Sequence, residues 1–533
     1  MAVLTWICHS ERALEVDELC YALAVEIGET DFDPENVPLI GTLLNCCQGL
    51  ISVDEEASTI RLIHYTVQEY LCSVPGLFSK PHSILAETCL TYLNSQHIKS
   101  LTRYSLPPLQ SMPFLKYSAR YWGTHTNKDL TNNARTLALK LLNHYGDHVS
   151  AVSLLEQVTS PEFIKGIAIS PLFSALHYAS FFGIVELVTV LINSEDYEVD
   201  QQDCTGRTPL AWGARNGHEG VVKVFLERED VEHNCPDKSG GTPLSLAAFG
   251  GHEGVVSILL ERENVDPNIP DNSGNGPLSW AAIKGHEGVV KLLLGLENVD
   301  PNRENSQDRT PLGCAAIEGH EGVVKLLLER ENVDPNRPDK NGGTSLWLAA
   351  FGGHEGVVSI LLEQENVDPN HPDNHGNGPL SIAAIKGHEG VVKLLLGLEN
   401  VDPNRENNQD RTPLGCAAIE GYEGVVKLLL ERENIDPNRL DKFDRTPLRW
   451  AAICGHEGVV KLLLERGDVN SNLPHKQGGT ALSSAFREGP GVVRLLEARI
   501  SAETLGAGAR SDRRWDAWKS LPPFFWEKTN LIR

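Results

Sequence analysis

A six-residue string, Gly-His-Glu-Gly-Val-Val, opens at Gly217, Gly251, Gly285, Gly319, Gly353, Gly387 and Gly455, and Gly421 opens the near copy Gly-Tyr-Glu-Gly-Val-Val. Weaker copies begin at Gly183 and Gly489, so ten repeats of 34 residues run in strict register. A period of this size constrains the fold more than any composition does. Each repeat is one supersecondary piece too small to bury its own apolar face. Neighbours must therefore stack and share an interior, which makes a solenoid. Helices that pack roughly 10 Å apart would give ten repeats a length on the order of 100 Å, and the expectation is a curved rod with a concave side.

Each repeat reads as two helices and a turn. In the third, Thr242 is an N-cap and Pro243 occupies the first helical position, where a missing N–H costs nothing. Leu244, Ala247 and Ala248 recur at helical spacing and form one apolar face. Gly251 suits a left-handed stop. Glu253 lies in the first turn of the second helix, where the macrodipole favours a negative charge. Val255, Val256, Leu259 and Leu260 form that helix's apolar stripe, and Asn264-Val-Asp-Pro-Asn268 ends it. Gly- and Asp-rich turns around Gly241 and Asp271 project between repeats. The pairs Ala281-Ala282, Ala315-Ala316 and Ala383-Ala384 let first helices approach closely.

The run Asp237–Leu260, read as Asp-x-x-Gly-x-Thr-Pro-Leu-x-x-Ala-Ala-x-x-Gly-His-x-x-Val-Val-x-x-Leu-Leu, resembles an ankyrin repeat, and the resemblance covers about residues 169–500. The period is 34 rather than the family's usual 33, with the extra residue in the Glu-Asn-Val-Asp-Pro-Asn connection. The family's His after Thr-Pro-Leu is replaced by Ser245, Ser279, Gly313, Trp347 or Arg449, so its hydrogen bond is expected to be lost. Residues 238–339 and 340–441 differ at 11 positions, which looks like duplication of a three-repeat block.

The resemblance implies protein binding through turn tips and the exposed side of the first helices. By motif position that surface would use Lys284, Arg309, Glu318, Lys386, Arg411, Phe443 and Arg445, together with the ladder Phe249, Ile283, Ile317, Phe351, Ile385, Ile419 and Ile453. Two readings of the ladder stand. Exposed, it is an apolar stripe that grips an extended or helical segment of a protein. Half-buried, it is packing between adjacent first helices, and this reading carries more weight. The ladder His218, His252, His286, His320, His354, His388 and His456 steps too far to ligate one metal, since metal bonds are about 2 Å. It reads as structural. Cys314 and Cys416 read as buried thiols.

Before residue 169 the period disappears. Val16–Glu26 and Val37–Leu50 read as helices, Ile51–Asp54 and Thr59–His64 as a β-hairpin, and Tyr65–Leu71 as a further helix. That order suggests a winged helix. Val37–Leu50 carries no Lys or Arg, so packing against protein is favoured over DNA binding. Leu14–Leu19, Ala22–Glu26, Gly49–Asp54 and Ile60–Leu71 look like the winged-helix domain named after GPI inositol-deacylase, and Tyr117–Gly123 looks like the helical segment that usually follows. In fungal NACHT-class signalling NTPases that domain follows an ATPase module and precedes ankyrin repeats. His64 stands where such a His can sense nucleotide, although a core or hairpin role is favoured. No G-x-S-x-G elbow and no phosphate loop occurs. The expectation is no catalytic, cofactor or metal residue.

The boundaries expected are 1–80 winged helix, 81–168 helical linker, 169–500 solenoid and 501–533 tail or cap. The tail carries Trp515, Trp518, Phe524, Phe525 and Trp526. The chain has 47 basic and 72 acidic residues, a formal charge of −25. No basic cluster offsets this, which argues against nucleic acid and anionic membranes as partners. No apolar run is long enough to span a bilayer. Eleven cysteines without a C-x-x-C pair point to reduced thiols in the cytosol or nucleus. The reading is a mostly α, non-enzymatic adaptor that binds a protein partner through the concave side of its array. The alternative is the sensor fragment of a fungal NACHT-type receptor, of innate-immunity or heterokaryon-incompatibility kind, whose ATPase module lies outside this chain.

Overall fold

The computed structural model describes residues 1–99, 112–142, 173–194, 197–474, 479–485 and 490–506. By contacts the chain divides into two lobes, Met1–Ser306 and Gln307–Arg533, and each is described by itself.

The first lobe opens with α1 (Ala2–His9), β1 (Leu14–Glu15), α2 (Val16–Ala24), a 3-10 turn (Pro34–Asn36), α3 (Ile40–Cys46), β2 (Ile51–Asp54), β3 (Thr59–Leu62) and α4 (Tyr65–Ser73). The hairpin expected from sequence is there, with Val53 opposite Ile60. Two elements were not expected. One is α1, which buries Trp6. The other is β1, whose two residues are too few for an alternating pattern to register; it completes an antiparallel sheet in the order β1-β3-β2. At the start of α2, Glu15 and Glu18 form a capping box. The buried Glu18 is neutralised by two bonds from Arg12, at 2.5 and 2.7 Å.

Next come α5 (Pro81–Asn94), α6 (Gln96–Lys99), α7 (Pro113–Lys128) and α8 (Asn132–Leu142). α5 lies along α7 and α8, and α7 also meets α2. Trp6 sits edge-on to Phe114 and Tyr117, at 5.5 and 5.7 Å, so residues before and after position 80 share one core. Residues 143–168 of the expected helical linker lie outside the described residues.

Behind this core Tyr117 Oη lies 2.9 Å from His125 Nε2, and His125 Nδ1 lies 2.9 Å from His82 Nδ1. Burial pushes His125 down to about 3 and also lowers His82. The first repeat docks on α7 through Gly123: an added Cβ there would stand 2.2 Å from the Phe182 ring, so only glycine admits it. This explains the end of the Tyr117–Gly123 motif.

The repeats themselves are helix pairs. Four lie in the first lobe, with first helices Ala175–Phe182, Pro209–Arg215, Pro243–Gly250 and Pro277–Lys284. Six lie in the second, with first helices Pro311–Glu318, Ser345–Gly352, Pro379–Lys386, Pro413–Glu420, Pro447–Ile453 and Ala481–Ala485. The Thr242 hydroxyl accepts from Ser245 N–H, as an N-cap should, and Gly251 stops the helix at φ 73°. First helices stack on first helices and second on second within each lobe. The buried Ala247, Ala248, Val255, Val256 and Leu259 are the expected stripe.

The repeated hexapeptide is a self-complementary joint. The imidazoles of His218, His252, His286, His354, His388 and His456 lie on the bare backbone of the preceding repeat's glycine; a Cβ on Gly353 would stand 2.6 Å from His388 Cε1. Nε2 of His218, His252, His286, His354, His388 and His456 then donates to a first-helix carbonyl one repeat back, at 2.9–3.0 Å. The glutamate three residues after the opening glycine's predecessor interlocks in the other direction: Glu321 overlies Gly356, and Glu355 overlies Gly390. Tyr422 lays its ring on Gly387 as the histidines do.

A second ladder fills the connection that carries the extra residue. Nδ2 of Asn336, Asn370, Asn404 and Asn438 donates to the carbonyl of Asn366, Asn400, Asn434 and Asp468 at 2.6–2.8 Å. Asn234 and Asn268 do the same in the first lobe.

The loss of the inter-repeat bond after Thr-Pro-Leu needs correcting. In the first repeat His177 Nε2 reaches Arg207 O at 3.1 Å. At Trp347 the indole Nε1–H replaces the imidazole and donates to Asn377 O at 3.0 Å, across the same interval of 30 residues. Ser245 turns back to Thr242 O instead. The aromatic residues of the expected tail, Trp515 to Trp526, lie outside the described residues.

Candidate partner-binding surface

The turns are built around one side chain each. Asp339 Oδ1 accepts from Asn341 and Gly343 N–H, and Asp441 Oδ1 from Phe443 and Arg445 N–H. The outer oxygen reaches further. Asp203, Asp271 and Asp441 accept the indole N–H of Trp212, Trp280 and Trp450, nine residues on, at 2.8–3.0 Å. This lock ties turn to first helix. Its signal was in the sequence as a nine-residue Asp-to-Trp spacing, and pattern reading passed over it. Successive tips are joined by single backbone bonds, as from Asn374 N–H to Asn341 O at 2.8 Å.

In the first lobe Phe249 and Ile283 are half-buried and Lys284 is exposed. The Phe249 ring meets the edge of Trp280 at 5.1 Å, with Lys284 Nζ 4.9 Å and the Arg215 guanidinium 5.9 Å from its centre. Burial, then the charge of Arg207, lowers Arg215 to about 10.

In the second lobe Ile317, Ile385, Ile419 and Ile453 are half-buried, while Glu318 and Lys386 are exposed. Phe351 is 36% exposed and Phe443 47%. Phe351 stacks on Trp347 at 5.4 Å and carries Lys386 Nζ 4.6 Å over its ring. Arg445 lies 4.4 Å over Trp450 and 5.4 Å over Phe443, and Arg411 lies 4.9 Å over Trp450. Arg309 and Arg411 are also engaged by Asp339 and Asp441, at 3.0 and 3.4 Å. Their guanidinium groups thus hold the next turn as well as facing outward. Trp347 and Trp450 belong with these residues, and sequence reading did not select them.

The surface offers aromatic rings topped by cations, half-buried branched side chains, and exposed carboxylates. A cation over a ring is worth about 0.5–1 kcal/mol at an exposed site. Acid–base or nucleophilic chemistry has little support here. His218, His252, His286, His354, His388 and His456 are committed to the joints, and burial pushes Cys314 and Cys416 up to about 12, far from thiolate. None of the eleven cysteines forms a disulfide.

In the N-terminal part, His64 is exposed rather than buried, and its Nδ1 caps α4 by accepting from Thr66 N–H at 3.3 Å. Leu39 before α3, Ile63 after β3, and Tyr65 and Tyr70 on α4 are exposed by 56–78%. No helix among the described residues is long and apolar enough to cross a membrane.

Comparison with known proteins places these features. The family description "Ankyrin repeats (3 copies)" matches residues 169–236, 222–305, 290–373, 356–441 and 433–504, more than half of the chain. The description "GPI inositol-deacylase, winged helix domain" matches residues 1–80. No curated protein matches. Among solved structures, the human ASB11 ankyrin repeat domain is similar at 28% identity, over 42% of this chain and 98% of its own, with a TM-score of 0.38.

Proposed function

The chain belongs to the ankyrin-repeat family, and from that premise we propose that it is a non-enzymatic scaffold gripping a polypeptide segment of a partner protein along its turn tips and first-helix face. Ankyrin repeats indicate protein–protein interaction. The observation that carries the finer reading is a division of labour within each repeat. The ladder histidines and asparagines are consumed by bonds between repeats and the turn aspartates largely by bonds within them, while Phe351, Phe443, Lys386 and Arg445 remain at the outer edge of the same elements. In this reading Phe249 and Ile283 supply apolar contacts in the first lobe, and Ile317, Ile385, Ile419 and Ile453 supply them in the second. Lys284, Arg309, Glu318 and Arg411 fix register through charge.

The test is the variant Phe351→Asp/Ile385→Asp in the full chain. Partner binding should weaken by about 10-fold or more at unchanged helical circular dichroism, since each charge would face an apolar contact. Undiminished binding by the folded variant would reject the surface.

A second reading takes the chain as the sensor part of a NACHT-type signalling receptor. The exposed Leu39, Ile63, Tyr65 and Tyr70 favour it, as apolar side chains that an adjoining module would cover. Coding sequence for a phosphate loop upstream of Met1 in the same transcript would support it, and an in-frame stop there would exclude it.

A further inference from the structure

We propose that Glu11, His82 and His125 bind one divalent transition-metal ion of the zinc class, clamping the segment between α1 and β1 to α5 and α7. The three residues come from three separate elements, and one donor atom from each lies within 4.8 Å of the others. Zinc bonds of about 2.0–2.2 Å in tetrahedral geometry place neighbouring donors roughly 3.3 Å apart. The observed separations bracket that value: 2.9 Å between the two Nδ1 atoms, and 3.6 Å from His125 Nδ1 to Glu11 Oε1.

The surroundings suit ligation. Tyr117 Oη accepts Glu11 N–H at 3.1 Å and lies 2.9 Å from His125 Nε2. With a metal on Nδ1, Nε2 keeps its proton and donates to that same phenolic oxygen, which fixes both tautomer and ring orientation. Lys128 Nζ holds Glu11 Oε1 at 2.6 Å. Its side chain is 45% exposed, so the ammonium can move to the carboxylate's other oxygen or to water. His125 is fully buried, whereas Glu11 and His82 are half-buried, which gives an ion a way in. The His9 ring stands edge-on to His82 at 5.7 Å. Two imidazoles and one carboxylate suit zinc, cobalt or nickel, and offer too few oxygens for magnesium or calcium.

The experiment uses the full chain, stripped with EDTA and titrated with Zn²⁺ against a chromophoric chelator. One equivalent should bind, excess Mg²⁺ should not displace it, and Co²⁺ should give the visible bands of a four-coordinate site. His82→Ala and Glu11→Gln should each weaken Zn²⁺ binding by about 10-fold or more, while His375→Ala on an exposed turn should not. Glu11→Gln keeps the side chain's shape, so it reads out even if His82→Ala misfolds. Failure to retain Zn²⁺, or retention that neither variant reduces, would overturn the site and leave two imidazoles sharing a proton.

Discussion

Replacing Gly353 with alanine tests the joint between repeats. Gly353 has φ 76°, where an L-residue costs about 1–2 kcal/mol. Its new Cβ would lie 2.6 Å from His388 Cε1 and Nδ1. The ring cannot step aside freely, because Nε2 donates to Phe351 O at 3.0 Å. Giving up that bond adds about 1 kcal/mol. The expected loss is therefore about 2–3 kcal/mol, read by urea denaturation and by hydrogen exchange in helices Ser345–Gly352 and Glu389–Leu396. Gly467→Ala is the control: nothing lies within 4 Å of its Cβ position, so it should be neutral or slightly stabilising. In a His388→Ala background Gly353→Ala should cost only the left-handed penalty. If Gly353→Ala proves no more harmful than Gly467→Ala, the imidazole is not seated on the glycine and the joint is wrong.

Three further outcomes are expected. Trp347→Phe should destabilise the second lobe by about 1 kcal/mol, because Asn377 O keeps its bond from Asp373 N–H but loses the one from the indole, and urea midpoints check this. Asn404→Ala removes bonds to Asn434 O and from Asp436 N–H; local hydrogen exchange around 434–436 should speed up while distant repeats hold. Burial lowers His177 to about 4, so it folds neutral, whereas the unfolded imidazole gains a proton below about 6.5. The unfolded state then binds more protons, and stability falls as pH drops from about 6.5 towards 4, by up to about 3 kcal/mol. The difference between wild type and His177→Gln across that window isolates this contribution, and a flat difference would contradict it.

The repeat architecture was legible because its signals are local and repeated. Thr242, Pro243 and Gly251 each announce a helix boundary by their own chemistry, and the structure places them there. Why His and Glu recur was not legible. Their partners, Gly353 for His388 and Gly356 for Glu321, lie about one period away, and repetition alone cannot tell contact from common ancestry. The same limit hid the Trp347 bond to Asn377, since an indole standing in for an imidazole breaks the motif while keeping the interaction. In the N-terminal part the hairpin showed through alternation, but β1 is two residues long and α1 is read as a mere apolar run. The Glu11, His82 and His125 cluster draws on residues up to 114 positions apart, and no spacing rule joins them.

The face used for recognition decides the account. Hydrogen–deuterium exchange of the full chain with and without its captured protein partner maps that face directly. Protection should concentrate on turn tips such as 340–343 and 442–445 and on first helices Ser345–Gly352 and Pro379–Lys386. Protection confined to the second helices, such as Glu389–Leu396 and Glu423–Leu430, or to residues 1–80, would contradict it.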